Sequence, residues 1–368
     1  MKKLLYFVYS VFFRLGRLLP VREKLAALVS PHPPVKNDSL AAIKAELIRR
    51  GGFSFVEIST AEIKGKFSPA ALFRFFVVKP VKLARAEYVF LNDNFMPLAD
   101  VCFSEKTTVI QLWHGEGAFK KIGLSLDLPE DIEKRERRLY KNYDYAVCSS
   151  KSVAFVYREA FDMSEGQVLP LGSPRTDFFF AGFDYAAERS AFDEAHPECR
   201  GKKLVLYAPT FRDDASLDAG ITAHIDPAMF AERLGDRFAL LLKLHPQVRP
   251  AAVPRGVTAV TGFGDTGTLL RLADVLVTDY SSICMDFALL DKPVYFYPYD
   301  LEEYTAARDF YADYESTVPG GIARDFESLV ELIGGEKFDR ERLAAFREYH
   351  LGACDGGSAA RVIEAIIK

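Results

Sequence analysis

Two of the chain's six histidines close apolar runs: His114 ends "VIQLWHG" and His245 ends "ALLLKLHP". An imidazole in such a place either exchanges a proton near neutral pH or makes a structural hydrogen bond, and its neighbours separate the two cases. After His114 come Gly115, Glu116, Gly117 and Ala118, where small residues let the backbone approach a ligand, then Lys120 and Lys121, which favour an anion nearby. Two other apolar runs also end in polar groups. "LVLYAP" leads into Thr210, Phe211 and Arg212, and "DVLVT" leads into Asp279, Tyr280, Ser281 and Ser282. The last stretch turns a strand into an amphipathic helix, leaving backbone N–H groups and two hydroxyls at a helix start, which suits an anion. Asp286 lies one turn further on the same face, where a carboxylate meets ribose hydroxyls. Arg212 and Lys243 supply the positive charge a diphosphate needs, one as a bidentate donor and the other as a point charge. Each residue alone has an ordinary structural counterpart: a serine cap, a surface ion pair or a hydrogen-bonded histidine. Their convergence points to a nucleoside diphosphate.

Elements that hold such groups together must be strands ending at a common edge. Short apolar runs alternate with helical stretches after the break "SPHPPVKND", the signature of a parallel α/β architecture with both sheet faces covered. Candidate strands are "FSFVEI", "AEYVFLN", "TVIQLWH", "DYAVCSS" and "GQVLPLG", then "KKLVLYAPTF", "FALLLKLHP", "VTAVTG", "ADVLVTDYSS" and "KPVYFYP". Helices are expected over 131–142, 152–160, 266–272, 282–290 and 326–333. At 368 residues the chain has room for two domains. The expected organisation is residues 1–30 as an amphipathic segment, 31–185 as an N-terminal domain and 186–368 as a C-terminal domain whose last helix packs back on the first. In such sheets ligands sit beyond the carboxyl ends of the strands.

A formal net charge of −4 gives no global reason to bind nucleic acid, so an anionic partner must be held locally. Five scattered cysteines without a C-x-x-C spacing argue against a disulfide framework and a zinc site. No P-loop, H-E-x-x-H or G-x-S-x-G motif occurs, and "GFGDTG" lacks dinucleotide-loop spacing. The N-terminus "MKKLLYFVYSVFFRLGRLLPVREK" carries six Lys/Arg against one Glu around a run too short to span a bilayer. Leu4, Val8, Phe12, Leu15 and Leu19 share one helical face, and Lys3, Ser10, Arg14, Arg17 and Lys24 another. That pattern fits a helix lying in an anionic membrane surface, with a core-packed helix or a cleaved signal as alternatives.

Taken together, "EYVFLND", "VIQLWHGEGAFKKIG", "YDYAVCSS", "LGSPRTD", "LVLYAPTFRDD", "LLLKLHP", "LLRLADVLVTDYSSICMDFALLDKPVYFYPYD" and "DGGSAARVIEAI" resemble the CDP-glycerol glycerophosphotransferases of teichoic acid synthesis and their ribitol-phosphate relatives. The resemblance implies a GT-B-like α/β fold, two Rossmann-like doubly wound domains facing across a cleft, with acceptor on the N-terminal side and the CDP-linked donor on the C-terminal side. It implies His114 as general base and His245 as a group that binds donor phosphates. Thr210, Arg212, Lys243, Asp279, Ser281, Ser282 and Asp286 fall on the donor side, Gly115 and Lys120 on the acceptor side. It also implies a lipid-linked acceptor at the cytoplasmic face of the membrane, with the CDP-polyol as substrate and no further cofactor. No carboxylate cluster in the sequence suggests a dedicated metal site, so metal independence is expected. The residues Glu116 to Lys120 depart from the Thr-Pro-Leu-Lys that follows the same glycine in many relatives. The expected reaction is transfer of a polyol phosphate, foremost glycerol phosphate, with release of CMP. A GT-B glycosyltransferase and a non-catalytic nucleotide-binding membrane protein are the competing readings.

Overall fold

The computed structural model describes residues 2–63, 68–210, 221–244, 253–307 and 310–367. The chain divides into two units, Met1–Phe180 with Tyr349–Lys368, and Ala181–Glu348. The sequence reading sets the division at 185/186, whereas residues 181–185 group with the second unit.

In the first unit, β1 (Arg22–Ser30), β2 (Ser54–Ser59), β3 (Ala86–Leu91), β4 (Thr108–Gln111), β5 (Tyr145–Val147) and β6 (Val168–Leu169) form a parallel sheet in the order β2-β1-β3-β4-β5-β6. Strand order reverses between β1 and β3. With right-handed crossovers, that reversal sends helices to opposite faces and opens a crevice at the carboxyl ends. The strand β1 was not expected: residues 1–30 are not one amphipathic segment. The helix Lys2–Arg17 stops before Pro20, and "LAALVS", whose residues favour helix, becomes a central strand buried from Leu25 to Ser30. Pairing with β2 and β3 on either side overrides the local preference.

The helix Lys2–Arg17 buries Tyr9, Ser10, Phe13 and Gly16. Ser10, assigned to the polar face, is interior and donates its hydroxyl to the Phe7 carbonyl at 2.8 Å. Lys24 lies outside the helix, in β1. A Cβ on Gly16 would stand 2.8 Å from the Val81 backbone, so only glycine lets this helix sit so close to Lys79–Leu83. Its other side leaves Leu4, Phe7 and Leu15 exposed, continued by Leu18 and Leu19.

The returning C-terminal segment completes the first unit's core. Val362 and Ile363 of the helix Ser358–Ile366 pack with Leu28, Ile43, Leu47, Phe90 and Ile110. Asp177 accepts the N–H groups of Ser358 and Ala359 at 2.9 and 2.8 Å, capping that helix, and Arg361 donates to the Leu171 carbonyl at 3.0 Å. Gly172, at φ +88°, allows the approach: a Cβ there would lie 2.3 Å from the Ala353 carbonyl oxygen. The motifs "LGSPRTD" and "DGGSAARVIEAI" therefore build an internal seam.

In the second unit, β7 (Lys203–Tyr207), β8 (Phe238–Leu242), β9 (Thr258–Ala259), β10 (Val275–Thr278), β11 (Val294–Phe296) and β12 (Gly321–Ile322) form a parallel sheet in the order β12-β11-β10-β7-β8-β9. Here the reversal falls between β7 and β10, the strands that lead to Thr210 and Asp279. The expected helix over 266–272 is present as Thr266–Leu272, capped by Asp265 accepting the Thr268 N–H. The short β12 was not anticipated, having two residues and no apolar run. All five cysteines are free, and Cys102 alone is exposed.

Candidate functional site

Three neighbouring strands of the first sheet deliver side chains to one place. His32 lies two residues beyond β1, Asp93 two beyond β3 and His114 three beyond β4. Asp93 Oδ2 is 2.7 Å from His32 Nε2, and Asp93 Oδ1 is 3.8 Å from His114 Nδ1. The His114 side chain keeps 54% of its surface exposed, while that of Asp93 keeps 17%. Burial of the ring's inner side lowers the His114 pKa from its ordinary value, the Asp93 carboxylate opposes this, and His32 and Arg175 add to the lowering. The ring is therefore neutral near pH 7 and able to accept a proton.

The backbone before His114 is strained. Trp113 has φ +57°, a left-handed conformation that bulky residues rarely adopt. Gln111 holds it by accepting the Trp113 N–H at 2.9 Å, and the buried indole lies 4.5 Å from the imidazole, centroid to centroid. Such conformations persist where the surroundings fix them, and they concentrate at functional sites.

The loop after His114 is pinned from three sides. Gly115 accepts the Tyr157 hydroxyl at 3.0 Å, Gly117 N–H reaches Ser149 Oγ at 3.0 Å, and Ala118 N–H reaches His350 Nδ1 at 3.1 Å. Burial pushes the His350 pKa down to about 4, which keeps the ring neutral and its Nδ1 free to accept. Glu116 is buried, paired with Arg175 and accepting the Ser173 hydroxyl at 2.8 Å. The departure at Glu116 thus sits against the "GSPR" stretch. Lys120 is half-buried. A cavity of about 410 Å³ lies at the ends of β1 and β2, walled in part by Ser30, Lys36, Asp38, Lys44 and Ser59. Ser30 Oγ accepts the His32 N–H at 3.0 Å, and Ser59 Oγ donates to the His32 carbonyl at 2.6 Å, so the same strand ends that wall the cavity fix His32.

The donor-side residues split differently. Arg212 and His245 lie outside the described residues. Asp279 is fully buried, and its Oδ1 accepts the Thr210 N–H at 2.8 Å, the Thr210 hydroxyl at 2.6 Å and the Tyr280 N–H at 2.6 Å. Asp279 thereby ties the end of β10 to the chain following β7, which is a bracing role that the sequence did not indicate. Asp286 is likewise buried, 5% exposed, within the helix Ile283–Ala288. Ser281 Oγ accepts the Ile283 N–H at 3.3 Å, whereas Ser282 is exposed and makes no capping bond. Lys243 follows β8 with its N–H on the Tyr207 carbonyl at 2.9 Å, and burial lowers its pKa. No carboxylate among the described residues pairs with its ammonium. Sequence reading missed His32, Asp93 and Arg175: the first stood in a proline-rich break, and the others lay inside motifs without being singled out. Asp93 was open to the same strand-end rule that found His114.

Relatives were then compared. A teichoic acid ribitol-phosphate primase of Bacillus spizizenii is 34% identical, matching 96% of this chain and 93% of its own length. A teichoic acid glycerol-phosphate primase of Bacillus subtilis is 30% identical over 78% of this chain and 77% of its own. The wall teichoic acid polymerase TagF, in a structure soaked with CDPG, superposes with a TM-score of 0.81 at 20% identity, over 98% of this chain and 93% of that one. This likeness identifies the fold as GT-B-like. A family profile matches residues 11–368. The chain belongs to the CDP-glycerol:poly(glycerophosphate) glycerophosphotransferase family.

Proposed function

We propose that His114 is the general base in transfer of a polyol phosphate from a CDP-linked donor to a hydroxyl of a cell-surface glycan acceptor. The observation that carries this reading is the half-exposed, neutral His114 ring beyond the carboxyl end of β4, one strand from the β1/β3 reversal of the first sheet, with Asp93 behind it. The acceptor hydroxyl gives its proton to the ring and its oxygen bonds to the β-phosphorus. The bond from that phosphorus to CMP breaks, and CMP leaves with the electron pair. Such a transfer needs positioning and charge neutralisation more than covalent chemistry. Lys243, Arg212, His245 and the Ser282 hydroxyl hold the donor phosphates, with Asp279 setting Thr210 in place. Gly115, Lys120 and the cavity beside His32 form the acceptor side.

Cationic side chains take the role of a metal in this scheme, and activity is expected to survive a chelator. CMP release should require both acceptor and His114: His114→Ala is expected to lower turnover by ~10² to 10⁴ while the protein stays folded. Near-native turnover in that variant would sink the assignment.

A specific observation bears on the donor. The ribitol-phosphate primase aligns over nearly the whole chain, whereas the glycerol-phosphate primase aligns over about three quarters. CDP-ribitol therefore stands beside CDP-glycerol as donor, and parallel assays with each decide between them.

No helix among the described residues is long and apolar enough to cross a membrane. The exposed Leu4, Phe7, Leu15, Leu18 and Leu19, with Arg14 and Arg17 beside them, suit peripheral attachment to an anionic membrane at its cytoplasmic face. Co-sedimentation with phosphatidylglycerol vesicles that is lost in a Leu4→Glu, Phe7→Glu double variant is the expected result; equal binding by both proteins would refute the attachment.

A further inference from the structure

We propose that Asp93, clamped by His32, is the positioning residue that orients His114 and supports the cation formed when it accepts a proton. The inference rests on the reading of His114 as base. The three groups come from β1, β3 and β4, which are adjacent in the sheet, so their spacing is fixed by the sheet itself. Asp93 is largely covered and has its two oxygens committed: Oδ2 meets His32 at 2.7 Å, while Oδ1 accepts the Asn94 N–H at 2.6 Å and faces His114 Nδ1 at 3.8 Å. The Asp93 main-chain carbonyl accepts from Gln111 Nε2 at 3.3 Å, the same Gln111 whose oxygen holds strained Trp113. One side chain thus anchors both the backbone that carries the carboxylate and the backbone that carries the base.

Because Nδ1 faces Asp93, Nε2 is directed away from the carboxylate and serves as the proton acceptor. A fixed carboxylate near the far nitrogen stabilises the imidazolium relative to the neutral ring. His32 has the opposite influence, since a positive charge on it lowers the His114 pKa. The centroids of the two rings are 6.5 Å apart. The other groups that face this cluster are Arg175, which bears on His114, and Glu136 and Tyr143, which bear on Asp93.

Opposite shifts follow for two near-isosteric variants. Asp93→Asn keeps the shape and removes the charge, so the acidic limb of the kcat/KM profile should move down by about one pH unit, with kcat falling roughly 10- to 100-fold. His32→Gln keeps a donor to Asp93 but removes the competing charge, so the limb should move up. Proton–carbon spectra of histidine-labelled full-length protein read the same titration without turnover, the His114 signal being identified by its loss in His114→Ala. Opposite displacements of that signal in the two variants support the proposal. An unchanged His114 titration in folded Asp93→Asn overturns it. Should His114→Ala retain turnover, the base assignment fails on its own, and the spectra still decide whether Asp93 controls the ring.

Discussion

At the end of β4 the protein leaves a titratable ring half exposed beside a carboxylate, whereas at the end of β10 it buries the carboxylate and spends it on the neighbouring strand. The end of β10 lies at the reversal of strand order in its sheet, and the end of β4 lies one strand beyond the β1/β3 reversal in the other; at such reversals crossovers diverge and a crevice opens. The residues delivered there differ in what they can do. His32, Asp93 and His114 form a cluster in which one carboxylate faces two imidazoles. Asp279 instead fixes Thr210, and Lys243 stands with its ammonium unmatched by any described carboxylate. On the function proposed above, the same edge of the same kind of sheet serves proton transfer in one unit and anion binding in the other, because the side chains at the strand ends differ.

Separate kinetic signatures are the sharpest test of this division. His114→Ala should cost turnover by ~10² to 10⁴ and leave CDP binding intact. Lys243→Ala should weaken CDP binding by roughly 10- to 100-fold, the effect of losing a hydrogen bond from a charged group. Calorimetric titration of both variants with CDP checks the contrast, and equal losses of binding would erase it.

Next in size is the pair behind the His114 loop. Glu116→Gln removes the charge facing Arg175 in an interior site, and a destabilisation of about 2 kcal/mol is expected. Urea unfolding of variant and parent measures it. An effect near zero would mean that the Glu116 departure is not fixed by Arg175.

The first unit should also carry a pH dependence of its own. His350 is buried and neutral, with its pKa lowered to about 4 from an ordinary 6.5. Above 6.5 its contribution is fully present; as pH falls from there to about 4 the unfolded chain binds a proton that the folded chain refuses, and stability declines. The slope is about 1.4 kcal/mol per pH unit, on the order of 3 kcal/mol in all. Denaturant midpoints between pH 7 and 4 should fall more steeply in the parent than in His350→Gln.

The smallest effect separates two adjacent serines. Ser281→Ala removes an acceptor for the Ile283 N–H and should cost about 0.5–1 kcal/mol, while Ser282→Ala should leave stability unchanged and weaken only CDP binding. Reversed roles for the two would move the cap by one residue.

Much of the second unit's scaffold is legible in the sequence because its strands are continuous apolar runs bounded by polar residues. The runs that include Lys203–Tyr207, Phe238–Leu242 and Val275–Thr278 are of this kind. The strand Arg22–Ser30 was not legible, since Leu-Ala-Ala-Leu carries a helical preference that only two flanking strands overrule. Asp279 is legible as a strand-end residue, but its bonds to Thr210 are not, for a sequence does not say whether a carboxylate faces solvent or a neighbouring loop.

The order of residue types along the chain by itself determined the α/β class, the strand ends that carry polar groups and the family, because these depend on local runs and on motifs in sequence. Tertiary structure alone decided that His32, Asp93 and His114 meet, that the C-terminal helix closes the first core, and that Asp279 braces Thr210. Those outcomes depend on which strands become neighbours, and parallel pairing joins residues tens of positions apart that no local pattern connects.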